Sequence, residues 1–125
     1  RIISKSICKD GGCTAYRGLV KICNGAKNCK SFTQCDALIL GNGSQANAYP
    51  ILDAQGSSSE VGHEATVSRI NDDQLFYLMS RGIDRQGARN LIVNGFIEPF
   101  VKTLPLEFAV EMNRLVELEM EDSVG

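Results

Sequence analysis

The sequence predicts a mainly β chain with an α cap: right-handed parallel β-helix (solenoid) rungs over residues 1–70, followed by a helical subdomain over residues 71–125. Three observations carry this expectation. Short apolar segments (Arg1 to Ile7, Gly18 to Cys23, Asp36 to Leu40, Ala48 to Ala54, Val61 to Ile70) are separated by turn clusters such as Lys9-Asp10-Gly11-Gly12 and Gly41-Asn42-Gly43-Ser44. Their starts lie roughly 10 to 18 residues apart, a spacing that fits stacked rungs. From Asn71 onward, apolar residues recur at helical spacing between recognisable caps.

Within the first part, a two-sheet sandwich is the competing reading. It predicts clean alternation of polar and apolar residues, because one face of each sheet meets water. Leu19-Val20 and Leu38-Ile39-Leu40 are instead continuous apolar runs, and they favour the solenoid. The first rung would then present an open edge for a longer chain or a partner to cover. The chain begins without methionine, in strand-like sequence, as expected of the C-terminal piece of a longer protein.

Within the second part, Asn71 and Gln74 have capping-box spacing ahead of Leu75, Phe76, Leu78 and Met79, and Arg81-Gly82 supplies the stop. Asp84 caps a second helix carrying Ala88, Leu91 and Ile92, with Asn94-Gly95 expected to close it and a short helical turn expected around Pro99 to Leu104. Pro105 suits the first turn of a third helix running to Glu121. Its wide stripe (Leu106, Ala109, Val110, Asn113 and Val116, flanked by Phe108, Met112 and Leu115) is expected to pack on the subdomain's own core, or to offer a face to a partner.

A net charge of −2 and the lack of any Lys/Arg run disfavour nucleic acid and anionic membrane surfaces as partners. No apolar run approaches the roughly 18 to 20 residues of a membrane span, and no signal-peptide core opens the chain, so a cytoplasmic location is expected. No G-x-x-x-x-G-K-[ST], G-x-S-x-G or H-E-x-x-H is present, which leaves nucleotide hydrolysis and hydrolase chemistry without a motif.

Candidate chemistry concentrates on a few side chains. Cys8, Cys13, Cys23, Cys29 and Cys35 form no C-x-x-C pair and are odd in number, against both a zinc ribbon and a closed disulfide set. Each reads first as a small buried hydrophobe. Cys35, inside Phe32–Leu40, shares a strand face with Ala37 and Ile39; as a ligand for iron or a carrier of persulfide it needs a depressed pKa or a nearby metal. His63, the sole histidine, and Glu64 are adjacent, so an extended backbone sends them to opposite faces. A lone histidine is more often structural than ligating. A thiolate and a carboxylate brought together by stacked strands could nonetheless hold iron, the carboxylate being the harder and more exchangeable ligand.

Ser4-Lys5-Ser6-Ile7, Tyr16-Arg17-Gly18-Leu19-Val20, Gln34-Cys35-Asp36-Ala37-Leu38, His63-Glu64-Ala65-Thr66, Leu75-Phe76-Tyr77-Leu78-Met79-Ser80-Arg81-Gly82, Ile92-Val93-Asn94-Gly95-Phe96 and Leu104-Pro105-Leu106-Glu107 resemble, in unbroken order, the C-terminal part of the SufB/SufD family. These are scaffold subunits of the SUF iron-sulfur cluster assembly machinery. Within the family, Cys35 and Glu64 match the SufB pattern better than the SufD one.

The resemblance implies a non-enzymatic scaffold that passes from a parallel β-helix into a C-terminal helical domain. It implies a transient iron-sulfur cluster or sulfur held at the SufB/SufD interface. By the same matching, Cys35 and Glu64 would bind the cluster and its iron, and His63 would be a weaker ligand or a supporting residue. Implied partners are the SufC ATPase, docked on the C-terminal helices, and SufD or a second SufB along the β-helix edge. A homodimer of this chain through that edge is also expected, and reduced flavin could serve the full complex. The location would be the cytoplasm, or a plastid-type organelle in a eukaryote. The alternative is a SufD-like structural module that closes the β-helix dimer and presents helices to the ATPase without binding cluster. A metal-dependent enzyme using His63 with the cysteines is a third reading.

Overall fold

The computed structural model describes residues 1–55 and 58–121. Five strands, β1 (Ile2–Lys9), β2 (Cys13–Ile22), β3 (Lys30–Leu40), β4 (Gln45–Ala54) and β5 (Glu60–Arg69), precede three helices, α1 (Asp72–Ser80), α2 (Arg85–Val101) and α3 (Leu106–Glu121). The chain divides into two compact units, Arg1–Arg69 and Ile70–Gly125.

In the first unit consecutive strands never pair. The odd-numbered strands form a three-stranded parallel sheet ordered β1-β3-β5, and β2 pairs in parallel with β4 in a separate two-stranded sheet. Parallel neighbours need a long connection, and here each connection is the strand that lies in the other sheet. The turn from β1 to β2 is reversed by Asp10 and Gly11, with φ of 54° and 77°. Gly11 takes this left-handed geometry without a Cβ penalty. The Gly12 N–H donates to the Lys9 carbonyl at 2.8 Å, and the Gly11 N–H donates to the buried Ser44 hydroxyl at 3.1 Å, which ties this turn to the one before β4.

β3 is the central strand of its sheet, and Ala37, Leu38, Ile39 and Leu40 are all buried there. That explains the continuous apolar run. β2 alternates instead, with Arg17, Leu19 and Lys21 in solvent between half-buried Tyr16, Gly18 and Val20.

These observations correct the expected mainly β solenoid. The chain is an α/β protein with two parallel sheets and helices of 9, 17 and 16 residues, and among the described residues no closed solenoid forms. Short apolar segments at near-even spacing report only that strands recur and lie parallel. They do not report that the chain coils shut around a common axis.

In the second unit the capping expectations hold. The Asn71 side chain accepts from the Gln74 N–H at 2.7 Å, and the Asp84 carboxylate accepts from the Gly87 N–H at 2.9 Å. The expected stop at Asn94-Gly95 does not occur: α2 runs on to Val101 and passes through Pro99. The reason lies in packing. Ala88, Val93, Ile97 and Val101 are buried, three of them four residues apart on one stripe. Burying side chains of this size is worth roughly 1.5–3 kcal/mol each, against about 1 kcal/mol for an interior glycine and about 3 for a proline.

α3 departs from the expected packing on its own core. Leu106, Phe108 and Val110 are 76%, 66% and 61% exposed, and Leu115 and Leu118 are also open. Met120 is the buried residue of this helix, and its carbonyl accepts from Gln86 Nε2 at 2.9 Å. Residues 122–125 of the expected subdomain lie outside the described residues.

Candidate functional site

Parallel register decides which side chains share a face. Ser4 of β1, Cys35 of β3 and Ala65 of β5 are aligned, as are Ile2, Thr33 and His63 two residues earlier. With period-two alternation this gives one face carrying Ser4, Ser6, Thr33, Cys35, Ala37, His63, Ala65 and Val67. Opposite it, Thr14 and Tyr16 of β2 and Ala46 and Ala48 of β4 line a cavity of about 310 Å³ between the sheets, open to solvent beside exposed Ala65 and Val67, with Cys35, Ala37, Ser4 and Ser6 in its wall. Small side chains and hydroxyls keep the space open.

Cys35 is 8% exposed, and its sulfur lies 3.4 Å from Nε2 of the half-buried His63. The contact is diagonal across the strands, because His63 is aligned with Thr33 and not with Cys35. Its direction depends on the tautomer: with Nε2 unprotonated the thiol donates, and with Nε2–H the sulfur accepts. Tyr16 reaches the same imidazole from the other sheet, its ring centroid 6.3 Å away and the planes 22° apart.

Burial, and then the negative charge of adjacent Asp36, hold the Cys35 thiol above the ordinary cysteine range. Asp36 itself is engaged by Lys5 Nζ at 3.1 Å and by Gln34 Nε2 at 3.0 Å. The protein by itself therefore keeps Cys35 as a thiol. The depressed pKa that the ligand role asks for is not built in, so thiolate must be generated by an arriving cation or by transfer of the proton to a base such as His63.

Glu64 stands elsewhere. It comes directly after His63 in the strand, is exposed, and is aligned with Gln34. Adjacent strand residues point to opposite faces. The structure thus brings Cys35 together with His63 and leaves Glu64 on the other side of β5, an edge strand of its sheet.

Two residues at this site, one from each sheet, were not among the candidate site residues of the sequence. Tyr16 carried no pattern linking it to His63, since the two belong to different sheets. Thr33 is 2% exposed, and its hydroxyl has no hydrogen-bond partner. A buried polar group left so costs about 1–3 kcal/mol. Its position two residues before Cys35 was the available signal.

Among the other cysteines, Cys8 is buried, with its sulfur 3.2 Å from the Thr14 hydroxyl, and fits the expected small-hydrophobe role. Cys13 and Cys23 are exposed and do not; Cys29 is intermediate. Among the described residues, no group of three or more His, Cys, Asp or Glu side chains could hold a metal ion. Any iron at Cys35 and His63 would need further ligands from outside this set.

Comparison with known families then bears on the same strands. Residues 1–96 match the family model described as SUF system FeS cluster assembly, SufBD core domain. The chain belongs to the SufBD family. It is 52% identical over 124 residues to an iron-sulfur cluster assembly SufBD family protein of Staphylococcus saprophyticus, and 48% identical over 124 residues to one of Mycobacterium tuberculosis. Each match covers 99% of this chain but only 27% and 15% of the relative, so the chain spans about a quarter or less of the length of these relatives. The SufBD core match takes in all five strands, and with them Cys35, His63, Glu64 and Tyr16. Iron-sulfur cluster assembly is thus the general process to which this family ties the chain.

Proposed function

We propose that this chain is the cluster-holding segment of a SufB-type scaffold subunit, which retains a nascent iron-sulfur cluster, or the sulfur destined for one, at Cys35. The observation that carries the reading is the 3.4 Å approach of His63 Nε2 to the Cys35 sulfur on the wall of the inter-sheet cavity. A soft thiolate and an imidazole are both competent iron ligands, and the imidazole is placed to take the thiol proton as iron or sulfane sulfur arrives. Two ligands do not complete an iron site. The remaining coordination fits a second subunit, SufD or another SufB, meeting the edge strand β5, where exposed Glu64, on the face turned away from Cys35, would contact that partner. The open apolar side chains of α1 and α3, Phe76, Leu106 and Phe108 among them, support docking of the SufC ATPase on the helical unit.

The test is anaerobic reconstitution of the full-length subunit with its partners, read as iron and acid-labile sulfide per complex. Cys35→Ser and His63→Gln are expected to lose most of the cluster with the complex intact, and Glu64→Gln to retain it less firmly. Unchanged cluster content in Cys35→Ser would overturn the reading and leave Cys35 as a core thiol in a SufD-like structural module.

A further inference from the structure

We propose that Tyr16 is a positioning residue for His63, holding the imidazole plane so that Nε2 is presented to the Cys35 sulfur; this rests on the reading of Cys35 and His63 as one site. An imidazole on a strand has a broad, roughly two-fold χ2. A single contact to sulfur does not fix its plane. The second contact comes from the opposite sheet, where the Tyr16 ring lies nearly parallel to the imidazole, 22° off, with centroids 6.3 Å apart. Offset arrangements of this kind favour one ring orientation several-fold over its alternatives.

Tyr16 is itself held, and the sequence two residues on shows how. Gly18 lies on the same face of β2, and a Cβ there would collide with the Tyr16 hydroxyl and come within 2.8 Å of two of its ring carbons. A glycine inside a strand weakens it, and glycines at such positions mark close approach of another group. Here the approaching group is the tyrosine's own ring, laid along the strand into the space that Gly18 leaves. Arg17, between them, points outward and sits 5.6 Å from the Tyr49 ring on the solvent face, so it does not compete for this volume. Tyr16 also lines the cavity that Cys35 lines. The two sheets are thereby coupled through one aromatic pair at the point where the thiol sits. Tyr16 acts through His63 and does not itself touch the cargo.

The experiment has two arms. In the 125-residue chain, His63 is the only histidine, so its ring protons give a single assignable NMR set. The expected result is a ring-current shift of the His63 ring protons and Tyr16–His63 cross-relaxation in the native chain. Both should be retained in Tyr16→Phe and lost in Tyr16→Leu and in Gly18→Ala, with far-UV circular dichroism unchanged. In the full-length complex, cluster retention is compared for Tyr16→Leu, His63→Gln and the double variant. The double variant should be no worse than His63→Gln alone, because a residue that works through His63 has nothing left to position.

Unmoved His63 ring signals in folded Tyr16→Leu or Gly18→Ala would overturn the proposal, and so would additive losses in the double variant. If Tyr16→Leu fails to fold, Gly18→Ala, which keeps the tyrosine and only displaces it, decides. Cluster content indifferent to Cys35→Ser would sink the functional reading while leaving the NMR arm to judge the Tyr16–His63 relationship on its own.

Discussion

Cys35 faces His63 and turns away from Glu64, although His63 and Glu64 are neighbours in sequence. The strand's two-residue period makes that choice, and its consequences can be measured.

The first concerns thiol reactivity. Burial and Asp36 raise the Cys35 pKa, so at neutral pH Cys35 should react with iodoacetamide roughly tenfold or more slowly than exposed Cys13 and Cys23, since both access and thiolate fraction fall. Peptide-resolved mass spectrometry separates the sites. Asp36→Asn should speed Cys35, because removing a nearby negative charge favours the thiolate. Equal rates at Cys35 and Cys13 would contradict the burial.

The same shift has a sign for stability. A folded-state pKa raised above the unfolded value means that folding favours the thiol. The contribution is complete below the ordinary cysteine range and is lost as pH rises through the folded-state pKa. Urea midpoints taken at increasing alkaline pH should fall more steeply in the native chain than in Cys35→Ala. Parallel curves would show that Cys35 does not carry the linkage.

A third prediction separates the two kinds of apolar residue in the helical unit. Val93 is fully buried, and Val93→Ala should cost about 2 kcal/mol through lost transfer energy and a residual cavity. Leu106 is 76% exposed, and Leu106→Ala should stay within about 0.5 kcal/mol. Helical circular dichroism in urea reads both, and a large cost at Leu106 would mean that α3 is covered in the isolated chain.

The caps provide a fourth. Asn71→Ala and Asp84→Ala each remove the acceptor for an orphan helix N–H and should each cost about 1 kcal/mol. Replacing Asn71 by Asp should restore most of it. A silent Asn71→Ala would show that α1 is held by its packing at Leu75 alone.

Much of the local structure was legible. The five apolar segments mark the five strands, and Asn71 and Asp84 cap the helices their spacing announced, because turn glycines and capping side chains act within a few residues of themselves. What the sequence hid is non-local. Whether parallel strands close into a coil depends on pairings between residues about 30 apart, such as Cys8 with Ile39, and the apolar pattern is the same either way. The end of α2 was misplaced because Gly95 and Pro99 are strong local signals, and they lost to a buried stripe formed with other elements. At the site, the opposite-face placement of His63 and Glu64 was readable from adjacency. That His63 and not Glu64 would meet Cys35 required the β3–β5 register, which no local pattern contains.

That register gives the site an unusual kind of fragility. Substituting residues of β5 changes one side chain at a time, but deleting a single residue between Glu60 and His63 would move the remainder of the strand by one position and exchange its two faces. Glu64 would turn toward Cys35 and His63 would turn to solvent, with composition almost untouched. For this strand, length is inherited information as surely as chemistry is, and a one-codon deletion would rewrite the site more thoroughly than most point mutations could.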